Sequence, residues 1–427
     1  MSDYIFTALK KISVILLGLI SSVLLARYLG PELRAEYAIV VNAAAVISVV
    51  LGLGVTGSFQ SYRRSLGRSV SAAHFSFSII SCVALTVLLL ILWHFIKPFY
   101  ALIIAASISQ LLRMQLQSYA LIEDIRGAAV SSFSGGVVEV LCVFLFWLFF
   151  PESVFWGVFA LFLKNFFITI LSGYYIYSAC VGGVKKEGFY TFFLEGSRLL
   201  FEGGKVSIFK SFPYFLLTVL IMINYKADIL MLAYFNVDAL ILGAFSVGVI
   251  IAEYLWVFSD IFKDVQISRS SRGGAAADSA FSSRVALFVT LVVYIFYALF
   301  GRFFVVFFFG DEFSSSFDFS LLVLAANFFM VPCKILGSYL ISSGGIKGYL
   351  LAMFISVFLN VTINGCLIPD YGVYGAVISS VISYSFAGLC VVFVFSYRTG
   401  EKLADVLFFN LTDLRNIIFL FRSKLIR

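Results

Sequence analysis

The stretch "ISVILLGLISSVLLARYLGPELRAEYAIVVNAAAVISVVL", Ile12 to Leu51, sets two apolar runs on either side of a short charged hinge. Between Lys11 and Arg27 lie 15 uncharged residues, which as a helix span about 22 Å. That is short of the roughly 30 Å hydrocarbon core of a bilayer, so Arg27 begins within membrane depth. Gly30 suits the left-handed residue that ends a helix, Pro31 suits the first turn of the next, and Glu32 favours its positive N-terminal end. The stretch therefore predicts two membrane helices joined by a tight hairpin.

The rest of the chain extends this pattern. Of 427 residues, 62% are hydrophobic and only 12% charged, and 50 are Phe. A water-soluble core cannot hide that much apolar surface. With about 20 residues needed per crossing, twelve spans are expected: 12–29, 36–59, 75–96, 99–121, 129–150, 154–178, 209–234, 239–262, 284–307, 317–341, 348–368 and 372–397. In the ninth, Arg302 leaves open one tilted helix or a span followed by an interfacial piece.

The formal charge of +7 reflects topology rather than nucleic-acid binding. Lys10, Lys11, Arg63, Arg64, Arg68, Lys185, Lys186, Arg269, Arg272 and the basic tail beyond Arg415 collect on one side when the N-terminus is placed in the cytoplasm. The positive-inside rule then puts both termini and the longest loops there. Lys10 and Lys11 precede an apolar run as in a signal peptide, yet no small-residue cleavage site follows, so that run is read as a retained first helix.

Chemistry is sparse. The six cysteines are isolated in apolar stretches without a C-x-x-C pair or nearby His, which disfavours disulfides and metal. His74 and His94 are read as interfacial. There is no G-x-S-x-G, no P-loop and no large outer loop, so neither an enzyme nor a cofactor is expected.

The longest polar interruption, 181–206, divides the spans six and six, giving an N-terminal bundle at 1–180, a cytoplasmic linker at 181–206, a C-terminal bundle at 207–397 and a cytoplasmic tail at 398–427. Two six-helix halves enter the membrane in the same direction, so a duplication would be parallel. The hairpin "YLGPELRAEYAIVV" has a weak counterpart in "YFNVDALILGAFSV", residues 234–247.

A charge in mid-membrane costs about 2.5–3.5 kcal/mol even on the lenient insertion scale. Arg113, Glu139, Lys164, Lys210, Lys226, Asp228, Glu253 and Lys334 all fall within spans, with Arg27 and Arg302 nearer the ends and Asn327, Asn360 and Asn364 as neutral companions. Five of those eight are basic. The basic stems can snorkel to an interface or line a wet cavity. Lys164 and Glu139, on adjacent spans, can neutralise one another or meet a substrate. Pro213 and Pro332 are expected to perturb the backbone ladder locally, and Gly52, Gly54 and Gly57 to allow close helix contact.

The chain resembles a family at "LLARYLGPELRAEYA", 24–38, where polysaccharide-biosynthesis flippases of the Wzx type commonly read L-x-A-R-x-L-G-P-x-x-F-G-x-Y-A. Arg34 and Ala35 depart from that pattern. Further pieces follow in the family's order: "LGAFSVGVIIAEYLWVF" at 242–258, "FFFGDEF" at 307–313, "GSYLISSGGIKGYL" at 337–350 and "NVTINGCLIPDYGVYGAVIS" at 360–379.

This family lies in the multidrug/oligosaccharidyl-lipid/polysaccharide exporter superfamily. The resemblance implies an all-α integral membrane protein of about twelve transmembrane helices, in two six-helix bundles around a central cleft. It also implies transfer of an undecaprenyl-pyrophosphate-linked oligosaccharide, such as an O-antigen repeat unit, across the bacterial inner membrane. Membrane lipid and other polysaccharide assembly proteins would be its partners. Arg27, Arg113, Lys164, Lys226 and Lys334 would then face the anionic substrate, with Glu139, Asp228 and Glu253 as coupling or ion-pair acids. The competing readings are a drug or cation antiporter of the related multidrug-extrusion family, which would place more acids in its cavity, and, further off, a polysaccharide polymerase.

Overall fold

The computed structural model describes residues 2–56, 59, 69–92, 95–181, 189–203, 208–270, 275–410 and 413. The described residues are helical almost throughout. In chain order the helices are α1 (Ser2–Leu51), α2 (Ser69–Leu92), α3 (Pro98–Glu123), α4 (Ile125–Phe149), α5 (Val154–Val181), α6 (Phe189–Gly203) and α7 (Ile208–Tyr234). There follow α8 (Ala239–Leu255), α9 (Val257–Ser270), α10 (Ala276–Phe309), α11 (Ser316–Ser342), α12 (Ile346–Tyr371), α13 (Val373–Thr399) and the short α14 (Leu403–Leu407).

Ten of the described helical stretches are long and apolar enough to cross a membrane, the first being 12–51, and Ala239–Leu255 is a shorter apolar helix. The first stretch is two helices, because Gly30 breaks it with φ 65° and ψ 174°. Counting those halves separately and adding α8 gives about twelve spans in an all-α, multi-pass membrane protein. Side chains such as Leu90, Phe149, Phe303 and Phe393 stand outward on these helices, as lipid-facing residues do.

The joints follow from local chemistry. Asp124 alone separates α3 from α4: its N–H closes α3 on the Ala120 carbonyl at 2.7 Å. Its carboxylate accepts from the N–H groups of Arg126 and Gly127, at 3.0 and 3.1 Å, to cap α4. Asp238 caps α8 in the same way through the Leu240 and Ile241 N–H groups. The residue that turns the chain has positive φ at Gly30 and at Asn236.

Three differences from the sequence expectations stand out. The polar segment between the halves contains α6, which docks on α2: Ser76 Oγ donates to the Phe193 carbonyl at 2.9 Å, and Phe75 and Phe192 rings lie 5.7 Å apart. The eighth span ends early, because the helix breaks at Trp256 before the charged α9 begins. Finally, α10 runs unbroken through Arg302, whose side chain points outward, so the ninth span is a single long helix. Pro213 and Pro332 lie inside α7 and α11, which continue through them.

Two compact units, 1–243 and 244–427, arise from the packing. In the first, α3 is the most enclosed span. Leu25, Tyr28, Tyr37 and Val40 of α1 pack with Ile103, Val143 and Val158 from α3, α4 and α5. The hairpin is pinned twice, by Tyr28 Oη donating to the Pro151 carbonyl at 2.7 Å and by Gly243, where a Cβ would lie 1.9 Å from the Pro31 carbonyl oxygen. His74, expected at an interface, is instead fully buried between Phe59 and Tyr119, because α2 begins inside the bundle. His94, Gly57, Arg63, Arg64, Arg68, Lys185 and Lys186 lie outside the described residues, as do the side chains of Lys210 and Arg269.

In the second unit α11 is the most enclosed span, with Val331, Cys333, Leu336 and Leu340 inaccessible. After α13 the chain turns at Gly400 and runs back along α10 as a strap. Arg284 grips Asp413 with two hydrogen bonds, Nε to Oδ2 at 3.0 Å and Nη2 to Oδ1 at 2.8 Å, and also bonds the Asp405 carbonyl. Phe409 stacks on Phe288 at 4.4 Å. Burial raises the Asp413 pKa, but the Arg284 guanidinium and the Asn410 N–H outweigh it and hold the carboxyl below its usual range.

Two outcomes are expected. Gly243→Ala forces the hairpin off its seat and costs about 1–3 kcal/mol, read as a lowered thermal unfolding midpoint. Gly365→Ala, where a Cβ meets open space, does not lower it. The strap is the second case: a carboxyl with a depressed folded pKa contributes stability above its unfolded pKa, about 3.9 for Asp, and loses it as pH falls through the folded value. The protection of residues 403–410 against hydrogen exchange, relative to the intrinsic rate at each pH, is therefore unchanged from pH 7 to about 5 and falls below about 4, whereas Arg284→Ala lowers it at pH 7.

Candidate functional site

The enclosed helix of the first unit carries the polar seam that the sequence marks out. Arg113, on α3, does not reach for an interface. Its Nη1 donates to Gln117 Oε1 at 3.0 Å one turn along the same helix, and Gln117 Nε2 donates in turn to Ser132 Oγ on α4. Two turns along α4 from Ser132, Glu139 is buried and accepts from Lys164 Nζ on α5 at 2.7 Å. Glu139 also acts electrostatically on Arg113. Asn165, next to Lys164, donates from Nδ2 to Ser109 Oγ on α3 at 3.2 Å.

The seam thus joins α3, α4 and α5 and contains two cations, Lys164 bonded to the Glu139 carboxylate and Arg113 within its field. Arg113 Nε, Gln110 Oε1 and Asn165 Oδ1 are buried with no hydrogen-bond partner among the described residues. Buried polar atoms are ordinarily satisfied, so the seam retains capacity to bond water or a polar ligand. Gly135 brings α4 against α5 close to the Lys164 carbonyl, which fixes the register of the ion pair.

The other candidates of this unit are Arg27, Lys226 and Asp228. Arg27 is exposed one turn before the Gly30 break, on the hairpin. Lys226 is half-buried in the middle of α7 and Asp228 is buried two residues on. Arg34, which the sequence reading used only as a departure from the family pattern, is the largest fully buried side chain, with its guanidinium 4.9 Å from the Tyr37 ring centre.

In the second unit Lys334 is the focus. It sits on α11, two residues after Pro332, with Nζ 2.9 Å from Asp260 Oδ1 and 3.3 Å from the centre of the Trp256 ring. The same Asp260 oxygen is 3.0 Å from Lys263 Nζ. Trp256 is the residue at the α8–α9 break, so one ammonium ties the break and the first turn of α9 to the enclosed helix. Glu253 is exposed and acts electrostatically on Lys334.

Asn360 and Asn364, fully buried, staple α12 to α13. Asn360 Nδ2 donates to Ser383 Oγ at 3.2 Å, Asn364 Nδ2 to Asn360 Oδ1 at 3.1 Å, and Ser379 Oγ to the Asn360 carbonyl at 2.7 Å. Such interhelical hydrogen bonds glue membrane helices together.

The sequence reading missed Asp260, Lys263 and Trp256 as partners. Asp260 and Trp256 were enclosed in the expected eighth span, and a helix of uniform apolarity gives no reason to break there. One signal was present: "FSDIFKD", 258–264, changes abruptly to charged residues at helical spacing.

No protein-family model and no curated protein sequence matches the chain. Solved structures do. The lipid II flippase MurJ in an inward closed conformation aligns with TM-score 0.62 and 18% identity, covering 99% of this chain and 92% of that one. An inward-facing multidrug resistance MATE family transporter of the MOP superfamily aligns with TM-score 0.58 and 15% identity, covering 91% and 94%. The eukaryotic MATE transporter AtDTX14 gives TM-score 0.57 and 14% identity, covering 90% and 91%. At these identities the likeness is one of fold: the chain has the fold of MOP-superfamily transporters.

Proposed function

We propose that the protein is a Wzx-type flippase that moves an undecaprenyl-pyrophosphate-linked oligosaccharide, a surface-polysaccharide repeat unit such as that of O-antigen, across the bacterial inner membrane. In this reading both termini are cytoplasmic and the substrate site opens alternately to the two faces. The observation that carries it is the seam of the first unit, where Arg113, bonded to Gln117 on the most enclosed helix, and the Lys164–Glu139 ion pair beside it set two cations against one carboxylate.

A net cation within membrane depth is held at a cost, and an anionic headgroup repays that cost. Guanidinium and ammonium groups bind phosphate oxygens through short charge-assisted hydrogen bonds, while Gln110 and Asn165 offer neutral polar atoms suited to sugar hydroxyls. Arg27 and Lys226 are further cations for the same cargo. The isoprenoid chain needs no protein site, since the bilayer solvates it. The fold is shared with a structure described as a lipid II flippase, a lipid-linked cargo of the same kind.

The competing reading, a drug or cation antiporter, draws on the MATE structures with the same fold and on Asp228, a buried carboxylate on α7. A cationic drug would favour a site with acids in excess, and the seam has the opposite balance.

Proteoliposomes loaded with a labelled polyprenyl-diphosphate oligosaccharide separate the two. The wild type is expected to transfer the lipid between leaflets, and Arg113→Gln and Lys226→Ala to slow it at least about tenfold, equivalent to some 1.4 kcal/mol of lost stabilisation. Arg415→Ala, in the tail, should leave the rate unchanged. Transport of a cationic dye but not of the lipid would replace the flippase by the antiporter. Glu139→Gln is expected to retain the fold, whereas Lys164→Leu, which strands the buried Glu139 carboxylate, should cost about 3–5 kcal/mol, measured as loss of monodisperse protein.

A further inference from the structure

We propose that Lys334 and Lys263 form a docking site for a diphosphate headgroup, and that Asp260 is a resident counter-ion which the headgroup displaces. The proposal rests on the flippase reading and adds to it a second headgroup site, on the second unit, with a built-in competitor.

Two ammonium groups converge on one oxygen, Asp260 Oδ1, at 2.9 Å from Lys334 and 3.0 Å from Lys263. The cluster of three therefore has a formal excess of one positive charge. A carboxylate brings one negative charge to it, whereas a diphosphate brings at least two, with more oxygens than a single carboxylate can present. Exchange is thus favoured electrostatically, and the lysines can bond several oxygens, each ammonium having three donors.

Lys334 does not depend on Asp260 alone for its place. Its Nζ lies over the Trp256 ring at 3.3 Å from the centroid, a cation–π contact that an arriving anion leaves in position. Side-chain exposure falls from 33% at Lys263 through 29% at Asp260 to 12% at Lys334. An anion arriving from outside thus meets Lys263 and Asp260 first and Lys334 behind them.

Location supports a lipid headgroup as the occupant. The apolar helix α8 ends at Leu255, Trp256 breaks the backbone, and the charged α9 starts directly after. The site lies where the chain passes from apolar to polar sequence, which is the depth of a headgroup whose tail stays in the hydrocarbon. Glu253, exposed nearby, adds a negative charge that also acts on Lys334.

The test measures affinity with the purified full-length protein, for inorganic pyrophosphate in detergent and for a polyprenyl diphosphate in nanodiscs. Removing the internal competitor, Asp260→Asn, is expected to tighten both at least about fivefold, and Lys334→Gln or Lys263→Gln to weaken both at least about fivefold. Lys334→Arg should stay near the wild type. If pyrophosphate follows this order and the lipid does not, the site takes a free anion and the headgroup assignment falls. If Asp260→Asn folds, by its unfolding midpoint, yet binds neither ligand more tightly, the counter-ion role is overturned. Should Asp260→Asn not fold, unaltered affinity in Lys263→Gln, at the exposed side, overturns the site. The expected order of affinities together with absent oligosaccharide transfer in proteoliposomes would sink the flippase reading and leave this site standing.

Discussion

A charge enclosed by apolar helices has to find its counter-charge inside the protein, and that requirement organises both units of this molecule. Lys164 meets Glu139 across the α4–α5 interface, and Lys334 meets Asp260 across the α9–α11 interface. Each pair joins helices that dispersion forces alone would leave free to slide, because lipid tails compete with apolar side chains on equal terms. The pairs therefore set register as well as charge. A close backbone approach does the same work where no charge is available, at Gly243 against Pro31.

Each pair has a further cation beside it. Arg113 adds a second cation to the field of Glu139, and Lys263 adds a second to Asp260. A protein that used these groups only as staples would do better with matched charges, or with apolar residues of the same volume, which often substitute for buried ion pairs without loss. Holding Arg113 and Lys334 on the most enclosed helix of each unit is a standing cost in stability. Under the proposed function, a transient anionic ligand gives that cost a purpose.

The fold was largely legible in the sequence, because length and apolarity are the two properties a bilayer demands of a helix. The hairpin at Gly30 was legible for a separate reason: Gly, Pro and Glu in that order specify a stop, a start and a favourable dipole, and the backbone breaks at Gly30. Apolarity is silent about what happens inside an apolar run, so the break at Trp256 went unseen. Polar loops carry no demand for length, so α6 was hidden inside the expected linker, although Phe192 and Gly196 mark the face that meets α2. The candidate site was legible as a set of residues and not as a set of partners. The pairing of Lys164 with Glu139 could be weighed from adjacent spans, whereas Lys334 and Asp260 are 74 positions apart, and spacing along one helix says nothing about such a contact. His74 shows the same limit, its burial arising from Phe59 and Tyr119, which come from other elements.

Transport also constrains how strongly a site may bind. A headgroup held by fully unpaired arginines and lysines in a low dielectric would bind tightly and leave slowly, since charge-assisted bonds strengthen as water is excluded. Carboxylates already seated among the cations weaken each ligand interaction by the energy of the pair that must open, and they close again when the ligand departs. Under the proposed function Glu139 and Asp260 do this in their separate units. Glu139, first read as a possible coupling or ion-pair acid, thus gains a simpler role as an internal competitor, one that follows from distance and charge.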